Sequence, residues 1–544
     1  MSMNLYTTDV LVIGSGFAGN RAALGAAEAG AEVLQVTLGG GGSPNIMGFS
    51  AAVTEGDSSE VIFDDLMKSG MGMNCPVLAE TYARGTDELI ADMEALGVPL
   101  KKGDKGRYAP LHSLGTAFPR LVHQYQCLTG NYIQRALNKA LRAHPSVTVR
   151  TGTFISDLLV EDGRVYGACG VDAATGELLL FRSRIVVLAA GGSGRIHAFT
   201  TYPADVSGDG MAMAYRAGLD LQDMELIQFE PCCFVAPERI RGFVNPTTFF
   251  KMGATLKNGR GEAFIDDCAS LQKDVLSRKI ITEVIEGRGT PAGGVYYDVT
   301  MIPEETVKVT HYVHYQPALE GGVDICREVS EVAPAAHSFQ GGAVVNPDCS
   351  TAVDGLYLSG EVMGGIHGAN RMGGDAGGAA LVFGKVAGRT VGGAYAEHPL
   401  PEERRVRTLA AGLEDMAHAA AGRKGEPPAV LRQRIQEVMQ ARVGLIKTEA
   451  GLTRALAEFE AMEADFDRIG VSSPRQVRDL LSVRNMLLTA RAMALCARER
   501  RETRGVHYRE DFPERDDAAW FGRNAVVGMD ADGGMTVSVR KNRD

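Results

Sequence analysis

The stretch "VLVIGSGFAG", Val10 to Gly19, runs from unbroken apolar residues straight into Gly14-Ser15-Gly16-Phe17-Ala18-Gly19. A continuous apolar run suits a strand buried on both faces. A G-x-G-x-x-G turn directly after it leads into a helix whose free N–H groups can meet a pyrophosphate. The Ala-rich segment that follows reads as that helix up to Gly30, and Val33 to Val36 as the next strand. Strand, glycine turn, helix and strand in this order predict a nucleotide-binding α/β unit. The acid expected at the end of its second strand is absent. Gln35 and Thr37 stand there, so a ribose contact must come from an amide, a hydroxyl or the backbone.

Two further segments extend the sheet. "RIVVLAAGGSGR" (Arg184 to Arg195) and "GLYLSGE" (Gly355 to Glu361) each read as a buried strand ending in glycine, parallel to the first. The sequence between them changes texture from about Pro231 to Pro334, as an inserted domain would. From about Glu402 to Arg500 the pattern turns helical. Leu452, Leu456, Phe459, Met462, Phe466 and Ile469 fall on one helical face, and "GEPP" and "SSP" divide the region into several helices. The expected division is 1–230 and 335–400 for the two parts of the nucleotide-binding domain, 231–334 for the insert, 401–509 for the helical domain and 510–544 for a polar tail wrapping the surface. Within the second part, "GGIHGANRMGGDAGGAALVFG" (Gly364 to Gly384) embeds His367, Asn370 and Arg371 in small residues. Arg371 is there either to meet an anion or to pair with a carboxylate such as Asp375.

Composition narrows the partners. The chain has 544 residues, 45% hydrophobic and 23% charged, with a formal net charge of −11. That excess of acid argues against nucleic acid. Its nine cysteines are scattered and form no CxxC, which speaks against resident zinc or iron–sulfur sites and for a reducing cytoplasm. The start, "MSMNLYTTDVLVIG", lacks the features of a signal peptide, and no run of 18 apolar residues predicts a membrane span.

Together, "VIGSGFAG", "VLAAGGSGR", "SGDGMAMAYRAGLDLQDMELIQF", "EVAPAAHSFQGG", "GLYLSGE", "HGANRMGG" and "RRETRGVHYREDFPERDD" resemble the flavoprotein subunits of succinate dehydrogenase and fumarate reductase, with L-aspartate oxidase and the adenylylsulfate reductase flavoprotein as relatives. The resemblance spans nearly the whole chain in the same order. It implies an α/β fold: a Rossmann-like FAD-binding domain, an inserted α+β capping domain and a C-terminal helical domain. It assigns to FAD the turn residues Gly14, Ser15, Gly16, Phe17, Ala18 and Gly19, together with Ser43, Gly48, Gly191, Asp209, Glu361, Ala376 and Gly377. It makes Arg371 the residue that grips a substrate carboxylate and His337 one that hydrogen-bonds the substrate. In several relatives the residue after Ser43 is a histidine bonded to the flavin. Here it is Pro44, so FAD is expected to be non-covalent.

Other positions depart from the family pattern. Where the family has Q-F-H-P-T, this chain has "QFEPCC", with Glu230 at the histidine's place and Cys232-Cys233 after it. Lys273 stands at the reaction arginine, Arg278 matches a second, structural arginine, and Met252 replaces a relay glutamate. Lysine, with an ordinary pKa of about 10.4, gives up a proton more readily than arginine, so Lys273 is expected to act as acid or base. An ionised Glu230 is expected to repel the second carboxylate of a C4 dicarboxylate and to set specificity, although a protonated one could accept an anion. Cys232 and Cys233 are expected to be buried free thiols. The sequence thus reads as a flavoenzyme moving hydride between FAD and a small carboxylate other than plain fumarate or succinate. Two alternatives stand beside it: an electron-transfer subunit working with a separate iron–sulfur protein, and an amino-acid oxidase like L-aspartate oxidase.

Overall fold

The structure is a computed structural model and describes residues 3–113, 115–124 and 127–543. Strand β1 (Asn4–Ile13) is followed by helix α1 (Phe17–Glu28) and strand β2 (Val33–Thr37), as the opening stretch requires. Residues Val10 to Val12 are fully buried, because β1 lies between two parallel neighbours. Val12 faces Gln35 of β2 on one side and Val187 of the strand Leu178–Leu188 on the other. Leu356–Leu358 joins the same sheet, parallel to Leu178–Leu188. The three segments picked out by glycine-terminated apolar runs are therefore parallel strands of one sheet. The antiparallel strands Arg164–Asp172 and Thr153–Glu161 extend it on one edge.

The long glycine-rich segment has a second purpose besides the site. Its later part forms the helix Asp375–Ala394, which packs on α1. A Cβ on Gly25 would lie 3.0 Å from the Gly388 Cα, so two backbones come close there and a side chain on either would press on the other.

The insert has its own sheet of Ile227–Phe234, Ser330–Phe339, Val295–Asp298 and Thr255–Lys257 and its own core around Phe249, Tyr297, Ile280 and Val332. Its first and last strands pair antiparallel, Glu230 opposite Ala335, and continue into the nucleotide-binding part. The limits drawn at 230/231 and 334/335 thus fall inside two paired strands. Glu230 and His337 sit on this shared pair, the seam between the two bodies.

Four helices follow, Glu403–Ala420, Pro428–Arg442, Glu449–Asp465 and Pro474–Glu499. Leu452, Phe459 and Met462 form the buried face of the third, and Leu456 and Phe466 pack partly buried against the same core. Pro474–Glu499 is the one helix among the described residues long and apolar enough to cross a membrane, but 78% of that apolar window is buried, as in a core helix. The tail differs from the expected polar wrap. Arg523–Met529 and Met535–Lys541 form a hairpin that joins Leu221–Gln222 in a four-stranded sheet. Asn524 to Gly528 are buried in it. Arg500 anchors this end. It is fully buried, pairs with Asp223 at 3.1 Å and Glu225 at 2.5 Å, and lies over the Trp520 ring.

Candidate active site

A cavity of about 860 Å³ runs from the β1–α1 turn, beneath the glycine-rich segment, to the seam with the insert. At its nucleotide end Gly14 adopts φ +112°, and a Cβ there would lie 2.2 Å from the Ala189 carbonyl oxygen. Ser15 Oγ, with one proton to give, lies 2.9 Å from Thr37 Oγ1 and 3.1 Å from the Gly39 carbonyl. Ser43 Oγ accepts from the Phe17 N–H at 3.0 Å and so caps the start of α1 from a distant loop. Gln35 is committed elsewhere, donating to the Gly14 carbonyl (3.1 Å) and Asn20 Oδ1 (2.9 Å). Of the residues beside the missing acid, Thr37, Leu38 and Gly39 line the cavity. Asp209 lines it too, at the start of the helix Asp209–Arg216, accepting from Ser207 Oγ (2.8 Å) and Asn485 Nδ2 (2.9 Å). Burial raises its pKa against those two hydrogen bonds.

Gly16, Phe17, Ala18, Gly48, Gly191, Ala376 and Gly377 also line the cavity. Gly19 does not: a Cβ there would lie 2.2 Å from the Gly14 carbonyl oxygen, so this third glycine serves the turn's own packing. Glu361 sits beneath the far end, accepting from the Tyr202 hydroxyl and, at 3.0 Å, from the Phe339 N–H. Burial raises its pKa. A continuous groove with a helix N-terminus at one end and small residues along its floor fits a dinucleotide flavin.

Arg371 stands at the other end. Its Nη2 donates to Gln228 Oε1 at 2.8 Å and its Nη1 to the Met372 carbonyl at 2.8 Å. Gln228 in turn donates to Asn370 Oδ1 (3.0 Å) and the Arg371 carbonyl (3.1 Å). The Arg371 Nε is buried with no hydrogen-bond partner among the described residues. Asp375 is not its counter-ion, since it accepts instead from the Tyr82 hydroxyl at 3.0 Å. Arg371 is therefore a guanidinium steadied by neutral groups, the form suited to a carboxylate. His337 bonds Thr201 Oγ1 through Nδ1 at 2.9 Å. Burial lowers its pKa to about 4, so it is neutral at pH 7.

Lys273 and Glu230 depart from expectation. They form one ion pair, Nζ to Oε2 at 2.6 Å, with the Glu230 side chain only 3% exposed. Burial alone would raise the Glu230 pKa, but the Lys273 ammonium, with the Arg371 guanidinium, outweighs it and holds it below its ordinary value. A protonated Glu230 is thereby ruled against. So is Glu230 as a lone repelling charge, because Lys273 neutralises it. Met252 does not stand in a relay. It is 40% exposed, and the neighbouring Phe250 and Lys251 line the cavity instead. Cys232 and Cys233 are buried and free, with burial pushing both thiols up. Arg278 is 3.5 Å from Asp274 and lies over the Tyr508 ring, a structural setting. Sequence reasoning passed over Gln228, although "QFEPCC" begins with it, and over Tyr202 and Thr201, for which no motif speaks.

The chain matches known proteins along its whole length. Residues 9–376 match the family model described as FAD binding domain, and residues 432–543 that of the fumarate reductase flavoprotein C-terminus. A fumarate reductase (CoM/CoB) subunit from Methanothermobacter marburgensis is 34% identical over 534 residues, covering 94% of this chain and 96% of that protein. The L-aspartate oxidase of Vibrio cholerae is 30% identical over 530 residues, covering 93% and 96%. The structure of Mycobacterium smegmatis Sdh1 in complex with UQ1 superposes with a TM-score of 0.90 at 32% identity, covering 100% of this chain and 95% of that one. With this likeness over its full length and a groove that fits the flavin, the chain belongs to the succinate dehydrogenase/fumarate reductase flavoprotein family and is an FAD-dependent oxidoreductase.

Proposed function

We propose that this flavoprotein interconverts a small carboxylate other than plain fumarate or succinate with its two-electron partner, using non-covalent FAD. The observation that carries the reading is the 2.6 Å Lys273–Glu230 pair. It occupies the places of the family pattern's histidine and reaction arginine, and its two charges cancel, so the second carboxylate of a C4 diacid meets no net positive charge from it. When bound, FAD supplies hydride transfer. Arg371 binds and orients the carboxylate, Gln228 fixes the guanidinium plane, and neutral His337 offers its imidazole to the ligand. Lys273 Nζ holds the proton to be exchanged, and Glu230 keeps that nitrogen in place. Pro44 has no nucleophilic atom for a flavin bond. The M. marburgensis relative is named for fumarate, and the ion pair is the reason to separate this chain from that activity.

Two measurements test the proposal. Acid denaturation of the FAD-loaded protein is expected to release all yellow flavin into the supernatant, and flavin retained on the washed pellet contradicts non-covalent binding. Viologen- and phenazine-linked assays are expected to show poor turnover of fumarate and succinate. Rates typical of a fumarate reductase overturn the substrate reading.

Two of the relatives support a second element, a separate electron-transfer partner. The M. marburgensis protein is one subunit of its reductase, and M. smegmatis Sdh1 is a complex. No group of three or more potential metal ligands is found among the described residues, so any cluster serving this chain would come from that partner.

A further inference from the structure

We infer that the site selects monocarboxylates with an uncharged, largely apolar body, and discriminates against dicarboxylates of the same carbon skeleton. This rests on the carboxylate reading above and specifies which carboxylates. Three observations converge on it. First, the reacting end offers Arg371 as a cation held by neutral groups, with its Nε buried and unbonded among the described residues. One guanidinium answers one carboxylate. Second, the other cation at that end, Lys273, is spent on Glu230 at 2.6 Å. A second ligand carboxylate would feel attraction to Nζ and repulsion from Oε2 at similar range, and would lose its hydration with little in return. His337 adds no charge at neutral pH. Third, the insert lines the cavity with the apolar side chains Phe243, Phe250, Leu271 and Leu276 and with the uncharged Thr247, Thr248, Gln272 and His314, the last kept neutral by burial. Such a wall takes a hydrocarbon substituent and offers a carboxylate no buried cation.

The remaining lysine and arginine side chains on the cavity, Lys68, Lys251 and Arg515, are all exposed. Their charge is screened by water and salt, so they favour anions at the mouth without discriminating inside. The ligand class is thus a short or medium-chain alkanoate or 2-enoate, possessing one carboxylate for Arg371 and a neutral tail for the insert.

Crotonate and fumarate make the sharpest test, because they share a carbon skeleton and differ only in a methyl against a second carboxylate. Each is titrated into FAD-loaded protein while the flavin absorbance is followed, with no turnover required. Crotonate is expected to bind at least about tenfold more tightly than fumarate, the minimum for leaving one buried carboxylate unpaired, and 2-hexenoate more tightly than crotonate. Glu230→Gln frees Lys273 and is expected to improve fumarate binding by about tenfold or more while changing crotonate little. Tighter binding of fumarate by the unaltered protein overturns the inference and leaves the carboxylate reading standing. An unchanged ranking in Glu230→Gln that retains FAD and its circular dichroism also overturns it. If that variant loses its fold, the comparison on the unaltered protein decides alone. If no carboxylate perturbs the flavin of a protein that dithionite still reduces, both the inference and the function it rests on fail together.

Discussion

At the scale of the residue, what matters about Arg371 is less its charge than its support. Gln228 and the Met372 carbonyl each hold one nitrogen at 2.8 Å, so the guanidinium plane is set before a ligand arrives. A lysine there would keep the charge and lose the fork. Arg371→Lys is expected to weaken carboxylate binding by roughly tenfold to a hundredfold, the range for a lost hydrogen bond to a charged group, with little change in melting temperature. Flavin-monitored titration beside a thermal melt checks this. Equal affinity for every carboxylate would make the arginine structural. The replacements at Glu230 and Lys273 were each legible in the sequence as breaks in a motif. Their meeting was not. The two residues are separated by 43 positions and lie on a strand and a helix, and their contact depends on how the helix Lys273–Ile285 docks on the strand Ile227–Phe234. Met252 failed for a related reason: motif alignment supplies a position along the chain, and the local turn, ending at Gly253 with φ +100°, decides which neighbour faces the cavity.

At the scale of the element, the β1–α1 turn separates glycines that build the fold from glycines that admit a ligand. Gly14 combines φ +112° with a Cβ clash at 2.2 Å against backbone, so Gly14→Ala is expected to prevent accumulation of folded protein. Gly16 has ordinary φ −67°, and its Cβ would meet the Ser43 side chain, the Oγ at 2.9 Å. Gly16→Ala is expected to fold with an unchanged far-ultraviolet spectrum but to retain less FAD after gel filtration. Equal flavin content in Gly16→Ala and the unaltered protein would contradict a close approach there. The parallel strands were legible because burial on both faces forces an unbroken apolar run. The C-terminal hairpin was hidden by composition. Of its two strands, Met535–Lys541 is largely exposed with polar alternate positions, while the buried strand Arg523–Met529 is short and follows a densely charged stretch. The alternation in "MTVSVRK" after "DADGG" was the signal available for it, a strand entered through a turn.

At the scale of the whole molecule, the nucleotide-binding body and the helical region are joined through a buried polar cluster. Lys447, in the link between two helices, is 1% exposed, and His197 and His507 are fully buried. Lys447 Nζ, both ring nitrogens of His197, His507 Nδ1 and Glu225 Oε2 have no hydrogen-bond partner among the described residues. Burial lowers the Lys447 pKa to about 7, assisted by Arg509 and Arg278 and opposed by Glu225. In the unfolded chain lysine holds its proton to about pH 10.4. Between about pH 7 and 10 the unfolded chain therefore binds the additional proton, and stability rises with pH across that window. The cost is fully present below pH 7, where both states are protonated and the fold must carry a buried ammonium. His197, with its pKa lowered by burial to about 3, and His507, lowered well below its ordinary value by burial and nearby cations, act in the same direction but only below about pH 6.5. Above pH 7 the two histidines are silent, and the groups that oppose the lysine, Asp223 and the buried thiols whose pKa values burial raises, are shared by the protein and a variant at position 447, so the difference between the two isolates the lysine. Lys447→Met keeps the side-chain length and removes the charge. It is expected to raise the apparent melting temperature at pH 7 by an amount corresponding to about a few kcal/mol, an advantage over the unaltered protein that shrinks as pH rises from 7 to 10. The check is a series of melts of the FAD-loaded protein at constant ionic strength. A variant less stable at every pH would mean that Glu225 holds Lys447 as a working ion pair, and that the charge supports the junction.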